Sequence, residues 1–180
     1  MSAETTLPTL ASLAYIPYID SNGNLPAEFQ AKIGVYAIFD REQILKFVGF
    51  SRDISLSLKQ HLVRQPQSCY WLKYHTIDRP SRTILDQIRA AWITENGNIP
   101  TGNDIDAAKW NDPIDVKLLM TEEERSQLEN QINESAQAKF LKSLARRMED
   151  KIFAELAARG VNEEIHFNPK LKESGLLDLK

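Results

Sequence analysis

No apolar run among the 180 residues approaches the roughly 18 residues that a membrane-spanning helix needs. The N-terminus also lacks a basic segment followed by an apolar one, which is the usual form of a secretion signal. The chain has a single cysteine, Cys69, and three histidines. One cysteine cannot form an internal disulfide, and this set has no zinc-ligand spacing. We therefore expect a cytoplasmic protein without a membrane span, a disulfide or a structural metal.

Basic residues are slightly fewer than acidic ones, 22 against 25, and they are unevenly distributed. The net charge is −3, yet residues 31–91 hold ten basic and five acidic residues, while residues 1–30 and 92–180 are both net acidic. A local excess of this size is compatible with contact to phosphate groups. It falls short of the strongly basic surface typical of nucleic-acid-binding proteins, so an ordinary solvated surface is the simpler interpretation.

Two short apolar runs predict a β-hairpin. The segments IGVYAIF and LKFVGF are rich in β-branched and aromatic residues and flank the polar tetrapeptide DREQ, a pattern typical of antiparallel strands joined by a short turn. Asp53 or Ser51 can cap a helix that follows and ends near Val63. We expect the buried side of this helix to include Leu56, Leu58 and Leu62.

A third strand and a second helix follow the hairpin. SCYWLKYHTI is rich in aromatic residues and alternates in polarity, as a strand does. Pro80 and Ser81 then open a helix that Gly97 ends, with an apolar face formed by Ile84, Ile88, Ala91 and Trp92. The order ββαβα predicts an α+β fold, in which helices flank a small three-stranded antiparallel sheet.

The rest of the chain divides into three parts. Residues 1–30 form an apolar, proline-containing arm without regular structure, and residues 31–105 form the domain just described. Residues 106–120 are a connection that contains Trp110. Residues 121–180 are a helical C-terminal extension.

The extension begins at a capping box formed by Thr121 and Glu124, and Gly160 supplies a stop. Between them apolar residues recur every four positions, which predicts one long helix or two helices with a bend. This stripe consists of Leu128, Ile132, Ala136, Phe140, Leu144, Met148, Ile152 and Leu156.

Four features in register give the chain a resemblance to the GIY-YIG nuclease superfamily. GVY at 34–36 is followed eleven residues later by FVG at 47–49, His61 stands twelve residues after Gly49, and RAAWITENGNIPTGN at 89–103 resembles the second helix and closing asparagine of that family. The resemblance covers roughly residues 30–105 and implies the ββαβα fold. The helical extension is similar in character to those of cyanobacterial and plastid members, which implies the plastid stroma as the location if the source is a plant.

The resemblance implies a catalytic tyrosine at Tyr36 and a histidine at His61, with Asn103 as the closing asparagine. Other working groups of that family are missing. Phe47 replaces a second tyrosine, Ser57 replaces a phosphate-binding arginine, and Arg89 replaces a metal-binding glutamate. A cation at that last position would repel a divalent ion.

We therefore expect a catalytically inactive GIY-YIG-like protein that acts as a binding or assembly module, without a cofactor. The residues available for binding are Lys59, Arg64, Arg89 and Asn103. The alternative is a metal-dependent, structure-selective DNA endonuclease whose site has migrated, with Asp86 as a ligand of Mg²⁺ or Mn²⁺. A protein partner is expected on the C-terminal helices, and nucleic acid and a homodimer remain open.

Overall fold

The computed structural model describes residues 6–180, and the chain divides into two compact units between Asn111 and Asp112. Residues 1–5 of the predicted arm lie outside the described residues. The predicted boundaries after residues 30, 105 and 120 are finer than this division and stay predictions. Both strands and helices are present, so the α+β class is confirmed.

The first unit holds four strands and three helices. Its strands are β1 (Ile16–Pro17), β2 (Ile33–Phe39), β3 (Leu45–Ser51) and β4 (Trp71–Ile77). Its helices are α1 (Ile54–Arg64), α2 (Arg82–Asn96) and α3 (Ala107–Asn111), and two 3₁₀ turns lie at Ala27–Phe29 and Thr101–Asn103.

The sheet is antiparallel with the order β1-β4-β2-β3, so the prediction of three strands is wrong by one. The additional strand comes from the arm that was predicted to be irregular. Ile16 and Pro17 pair with Leu72 and Trp71 at the outer edge of β4. An edge is the place in a sheet where a proline, which has no N–H to donate, fits.

The two faces of the sheet are covered by different elements. On one face, alternate residues of β2 pack against α2 and the arm. On the other face, Tyr36 and Ile38 are buried on the side of α1, whose Ile54, Leu58 and Leu62 are fully buried. The core of the first face consists of Leu10, Val35, Ala37, Phe39, Leu45, Val48, Leu85, Ile88 and Trp92.

Helices α1 and α2 begin at capping residues that the sequence predicted, but their buried faces differ slightly from the prediction. The side chain of Asp53 accepts a hydrogen bond from Leu56 N, and the side chain of Ser81 accepts one from Ile84 N. Leu56 is nevertheless 48% exposed, because a helix that buries Leu58 turns Leu56 away. In α2 the buried residues are Leu85, Ile88 and Trp92, while the predicted Ile84 and Ala91 are exposed.

The second unit consists of α4 (Glu122–Glu129), α5 (Glu134–Ala158), and a small sheet of β5 (Ile114–Asp115) and β6 (Leu176–Leu177). Two 3₁₀ helices complete it, at Val116–Leu119 and Pro169–Ser174.

The predicted apolar stripe is thus divided between two helices. Asn133 breaks the run, because its side chain accepts a hydrogen bond from Ala136 N and so starts α5. Ile132 lies in the break and is 94% exposed, so its predicted place on a buried face is wrong. Within α5, Leu144, Ile152 and Leu156 are buried as expected.

Across residues 6–180, none of the helices is both long enough and apolar enough to cross a membrane.

Candidate functional site

Tyr36 and His61 are joined by a hydrogen bond inside the first unit. Tyr36 projects from the middle of β2 and His61 from the last turns of α1, and the phenol oxygen lies 2.8 Å from Nε2 of the imidazole. Their exposed fractions are 3% and 4%. The resemblance selected both residues, and the fold brings them into direct contact although they lie 25 positions apart.

Phe47 and Trp110 close this pair off from solvent. The Phe47 ring stacks parallel to the Trp110 indole, with 5.1 Å between centroids, and lies 4.6 Å from the His61 ring. The two side chains are 4% and 2% exposed. We call Tyr36, Phe47, His61 and Trp110 the aromatic box. Phe47 stands where the resemblance implied a second tyrosine, and its ring packs against His61 and Trp110.

Gly49 and Gly102 pack so closely against the aromatic box that a side chain would not fit at either position. Gly49 is the cross-strand neighbour of Tyr36, and a Cβ atom on it would lie only 2.8 Å from the phenol oxygen. A Cβ atom on Gly102 would lie 2.8 Å from Nε1 of Trp110 and 2.5 Å from the backbone oxygen of Lys46. Such contacts are too short for any residue with a side chain, so both glycines are required by packing.

Burial keeps both polar members of the box uncharged. It raises the pKa of the Tyr36 phenol far above its usual value, and a hydrogen bond with Ser57 and the charges of Arg64 and Arg89 oppose this only in part. Burial, assisted by the charge of Arg64, lowers the pKa of His61 to about 3. At neutral pH a neutral phenol therefore faces a neutral imidazole.

The second ring nitrogen of His61, Nδ1, lacks a good hydrogen-bond partner. Nδ1 is buried without a hydrogen bond of good geometry, although the backbone of Trp110 lies near enough to favour the protonated ring slightly. When the phenol donates to Nε2, the ring proton is on Nδ1. The pair is thus a buried polar contact, and the half-buried Ser57 is a further hydrogen-bonding neighbour of its phenol.

The residues predicted to bind a ligand are held by contacts within the protein. Arg64 donates from Nη1 to the backbone oxygen of Trp110 at 3.0 Å. Arg89 pairs with Asp86 at 2.8 Å and covers the Phe50 ring. Asn103 accepts from the backbone N–H of Val48 and donates to its carbonyl, both at 2.8 Å, so its amide caps the outer edge of β3. Lys59 is half-buried on α1.

The site does not fit the divalent ion that the nuclease resemblance implied. Asp86, the predicted alternative ligand, lies 3.7 Å from Arg82 as well as 2.8 Å from Arg89, so two cations already surround its carboxylate. Ser57, which replaces the phosphate-binding arginine of that family, donates a hydrogen bond from its hydroxyl to the hydroxyl of Ser51 at 2.8 Å. Within residues 6–180 no three His, Cys, Asp or Glu side chains are grouped as metal ligands would be.

Sequence reasoning missed Trp110, which it placed in a connection. The structure puts this residue in the five-residue helix α3, where it covers both Phe47 and His61. A signal was available, because a tryptophan within the polar stretch NDIDAAKWND is too large and apolar to be left in water. Its partners could not be inferred, since they lie 49 or more positions earlier in the chain.

Cys69 is fully buried two residues before β4. Its thiol donates weakly to the backbone oxygen of His61, at a sulfur–oxygen distance of 3.6 Å. A thiol shielded in this way cannot meet a disulfide or a glutathione adduct without opening of the fold.

No family model matches the chain. Over 74 residues it is 38% identical to bifunctional monothiol glutaredoxin-S16, a chloroplastic protein of Arabidopsis thaliana. The match covers 39% of this chain and 25% of that protein. The chain therefore spans about a quarter of the length of the relative that it matches.

These comparisons contradict the assignment of the chain to the GIY-YIG nuclease superfamily as a cyanobacterial or plastid member. The relative is named as a redox protein and not as a nuclease, and no family model supports the nuclease assignment. The function that followed from that assignment, a nuclease-like module or a metal-dependent endonuclease, is wrong for the same reason. The contacts of Tyr36 and His61 do not depend on it.

Proposed function

We propose that this chain works with a monothiol glutaredoxin as a partner domain and carries out no thiol chemistry of its own. The relative is called bifunctional, so its name attributes to it more than the glutaredoxin activity, and the match covers only a quarter of its length. The observation that carries the proposal is the complete burial of Cys69, the single cysteine of the chain.

A monothiol glutaredoxin needs a reactive thiol. The attacking species in thiol–disulfide exchange is a thiolate with access to the disulfide. Cys69 has no exposed surface and lies beside a backbone carbonyl, which does nothing to stabilise a negative charge on sulfur. We therefore propose that a partner protein supplies the reactive thiol.

The same proposal assigns no catalysis to Tyr36 and His61. What supports it is the closure of the aromatic box, whose four members are each at most 4% exposed. A general base must reach the proton that it removes, directly or through one water molecule. We infer that the box stabilises the domain, and that the chain is not an enzyme at this position.

We infer that the C-terminal unit contacts the partner. Three large aliphatic side chains support this, because Leu118, Leu119 and Ile132 are 77%, 59% and 94% exposed. Leu119 also lines a groove in this unit whose other apolar residues are Val116, Leu144 and Met148. Exposed apolar surface beside a groove is typical of protein interaction sites.

Isothermal titration calorimetry tests both parts of the proposal, with the chain titrated against purified Arabidopsis glutaredoxin-S16. We expect binding with a Kd below roughly 10 μM, as for a transient partner. Leu118→Asp with Leu119→Asp should weaken it about tenfold, equivalent to roughly 1.4 kcal/mol. Ile105→Asp is the matched control, because Ile105 is 80% exposed but lies in the first unit.

Absence of binding at 100-fold higher concentration would reject the partnership. Equal loss of binding in the control and in the leucine variants would reject the C-terminal unit as the contact surface but leave the partnership intact.

The remaining predictions are unchanged by the structure. The relative is chloroplastic, which supports the plastid stroma as the location if the source is a plant. Self-association, contact with nucleic acid and the expectation of no cofactor stay predictions, whereas the ion pairs of Asp86 with Arg82 and Arg89 argue against Mg²⁺ or Mn²⁺ at that carboxylate.

A further inference from the structure

A groove in the second unit lies between α5, the first turn of α4 and the 3₁₀ helix that precedes α4. Leu144, Met148 and Lys151 line it from α5 at positions i, i+4 and i+7, so they lie on one face of that helix. Val116 and Leu119 line it from the 3₁₀ helix. Its lining is thus mostly apolar, and we call this space the α5 groove.

The α5 groove is too small for a cofactor or a drug-sized ligand. Its volume is about 180 Å³, whereas sites for small molecules usually have about 300–1,000 Å³. A space of this size suits one large side chain. Leu119 is 59% exposed at the groove and the neighbouring Leu118 is 77% exposed, so apolar surface continues beside it. A niche for one anchor with apolar surface around it is typical of a site for a protein segment.

The charged side chains that line the α5 groove leave one positive charge without a counter-ion. The side chain of Glu124 is 18% exposed and already pairs with Arg147, whose Nη2 lies 2.6 Å from Oε1. Lys151 is exposed at the groove, and among residues 6–180 its ammonium has no ion pair. Glu122 and Glu123 are exposed in α4 but do not line the groove. An incoming carboxylate would therefore find a cation that no acid of the lining neutralises.

We propose that the α5 groove binds a segment of a protein partner in which a large apolar residue stands beside acidic residues. The apolar side chain enters over Leu144 and Met148, and a neighbouring carboxylate pairs with Lys151. A basic segment would meet the same ammonium with repulsion, so the groove discriminates between segments by charge. This inference rests on the proposed contact between the C-terminal unit and a partner, and it adds the chemistry by which the partner is recognised.

Nuclear magnetic resonance of the full chain, labelled with carbon-13 at its methionine methyl groups, tests this binding at the groove itself. Met148 lines the groove, and Met148→Leu assigns its resonance because that variant lacks it. The first probe is a synthetic peptide with one leucine between pairs of glutamates. Lysines replace the glutamates in the second probe, and serine replaces the leucine in the third.

We expect the acidic leucine peptide to shift the Met148 resonance until it saturates. Its Kd should be at least about tenfold lower than that of either other peptide, because only this peptide supplies both the anchor and the carboxylates. Lys151→Glu should weaken the acidic peptide about tenfold and strengthen the lysine peptide. Lys139→Glu is the matched control, because Lys139 is an exposed lysine of α5 that does not line the groove, and it should change neither Kd.

Three outcomes would overturn the inference. They are an acidic peptide that leaves the Met148 resonance in place, equal affinities for the acidic and lysine peptides, and a Met148 shift that depends on the concentration of the chain alone, since a second copy would then fill the groove. If the chain still binds glutaredoxin-S16 in calorimetry, the proposed partnership survives any of them. Peptide binding without glutaredoxin-S16 binding would instead retain the groove and reject that partner.

Discussion

The phenol oxygen of Tyr36 lies 2.8 Å from Nε2 of His61 in a space from which the Phe47 and Trp110 rings exclude solvent. Both groups are of the kind that perform acid–base catalysis, yet their pKa values are displaced in the directions that keep them neutral. The contact is therefore a stabilising one, and its consequences are open to measurement.

Acid should destabilise the protein through His61. The pKa of this residue is about 3 in the folded chain, against an ordinary value of 6.5. Between these values the unfolded chain binds more protons, so the free energy of unfolding falls as the pH falls. From pH 7 to pH 4.5 we expect His61 to account for a loss of about 2–3 kcal/mol.

Urea denaturation at both pH values measures this loss, with His61→Gln as the matched variant because its amide does not titrate. The difference between pH 7 and pH 4.5 should shrink in His61→Gln by the amount assigned to the histidine. An unchanged difference would show that His61 is not the group responsible.

Trp110→Ala should open the aromatic box. Removing a buried indole typically costs about 3–5 kcal/mol, because it leaves a cavity beside Phe47 and His61. Trp110→Phe keeps an aromatic ring and should cost clearly less. Chemical denaturation measures both, and a cost below about 1 kcal/mol for the alanine variant would contradict the packing described.

Asn103→Ala should expose the edge of β3. Both hydrogen bonds to Val48 are lost, which we expect to lower stability by about 1–3 kcal/mol. An uncapped strand edge also promotes pairing between chains, so light scattering should show more association at high concentration. Asn98→Ala, at an exposed position, is the control and should change neither property.

Because α4 and α5 are separate helices, we expect alanine substitutions at two apolar residues of the stripe to lower the free energy of unfolding by different amounts. Leu144→Ala should destabilise the chain by about 2–4 kcal/mol, because Leu144 is 6% exposed. Ile132→Ala should change stability by less than about 0.5 kcal/mol, because Ile132 is 94% exposed. Comparable costs would indicate a continuous helix with Ile132 on its buried face.

Local patterns in the sequence were sufficient to predict most elements of the first unit. Two apolar runs rich in β-branched and aromatic residues predicted β2 and β3, Asp53 and Ser81 marked the starts of α1 and α2, and Gly97 marked the end of α2. Each of these signals acts within a few residues of the structure that it specifies.

The errors arose where a signal was short or misread. Ile16 and Pro17 form a strand too short to show alternation. In α1, the spacing of Leu56 from Leu58 is that of a strand, whereas the helix buries Ile54, Leu58 and Leu62, which are four positions apart.

The candidate site was predictable in part. Tyr36, His61 and Phe47 were selected through the family resemblance and do meet, and the pairing of Arg89 with Asp86 follows from helical spacing. The closure of the site by Trp110 depends on a contact between distant segments, which no local pattern encodes.

Turnover of a glutathione mixed disulfide tests most directly the claim that the redox role belongs to a partner. The wild-type chain alone should give the rate of the buffer, and Cys69→Ser should give the same rate, because the Cys69 thiol is completely buried. A rate clearly above the buffer for the wild-type chain, abolished by Cys69→Ser, would show that the chain supplies its own reactive thiol and would contradict the account.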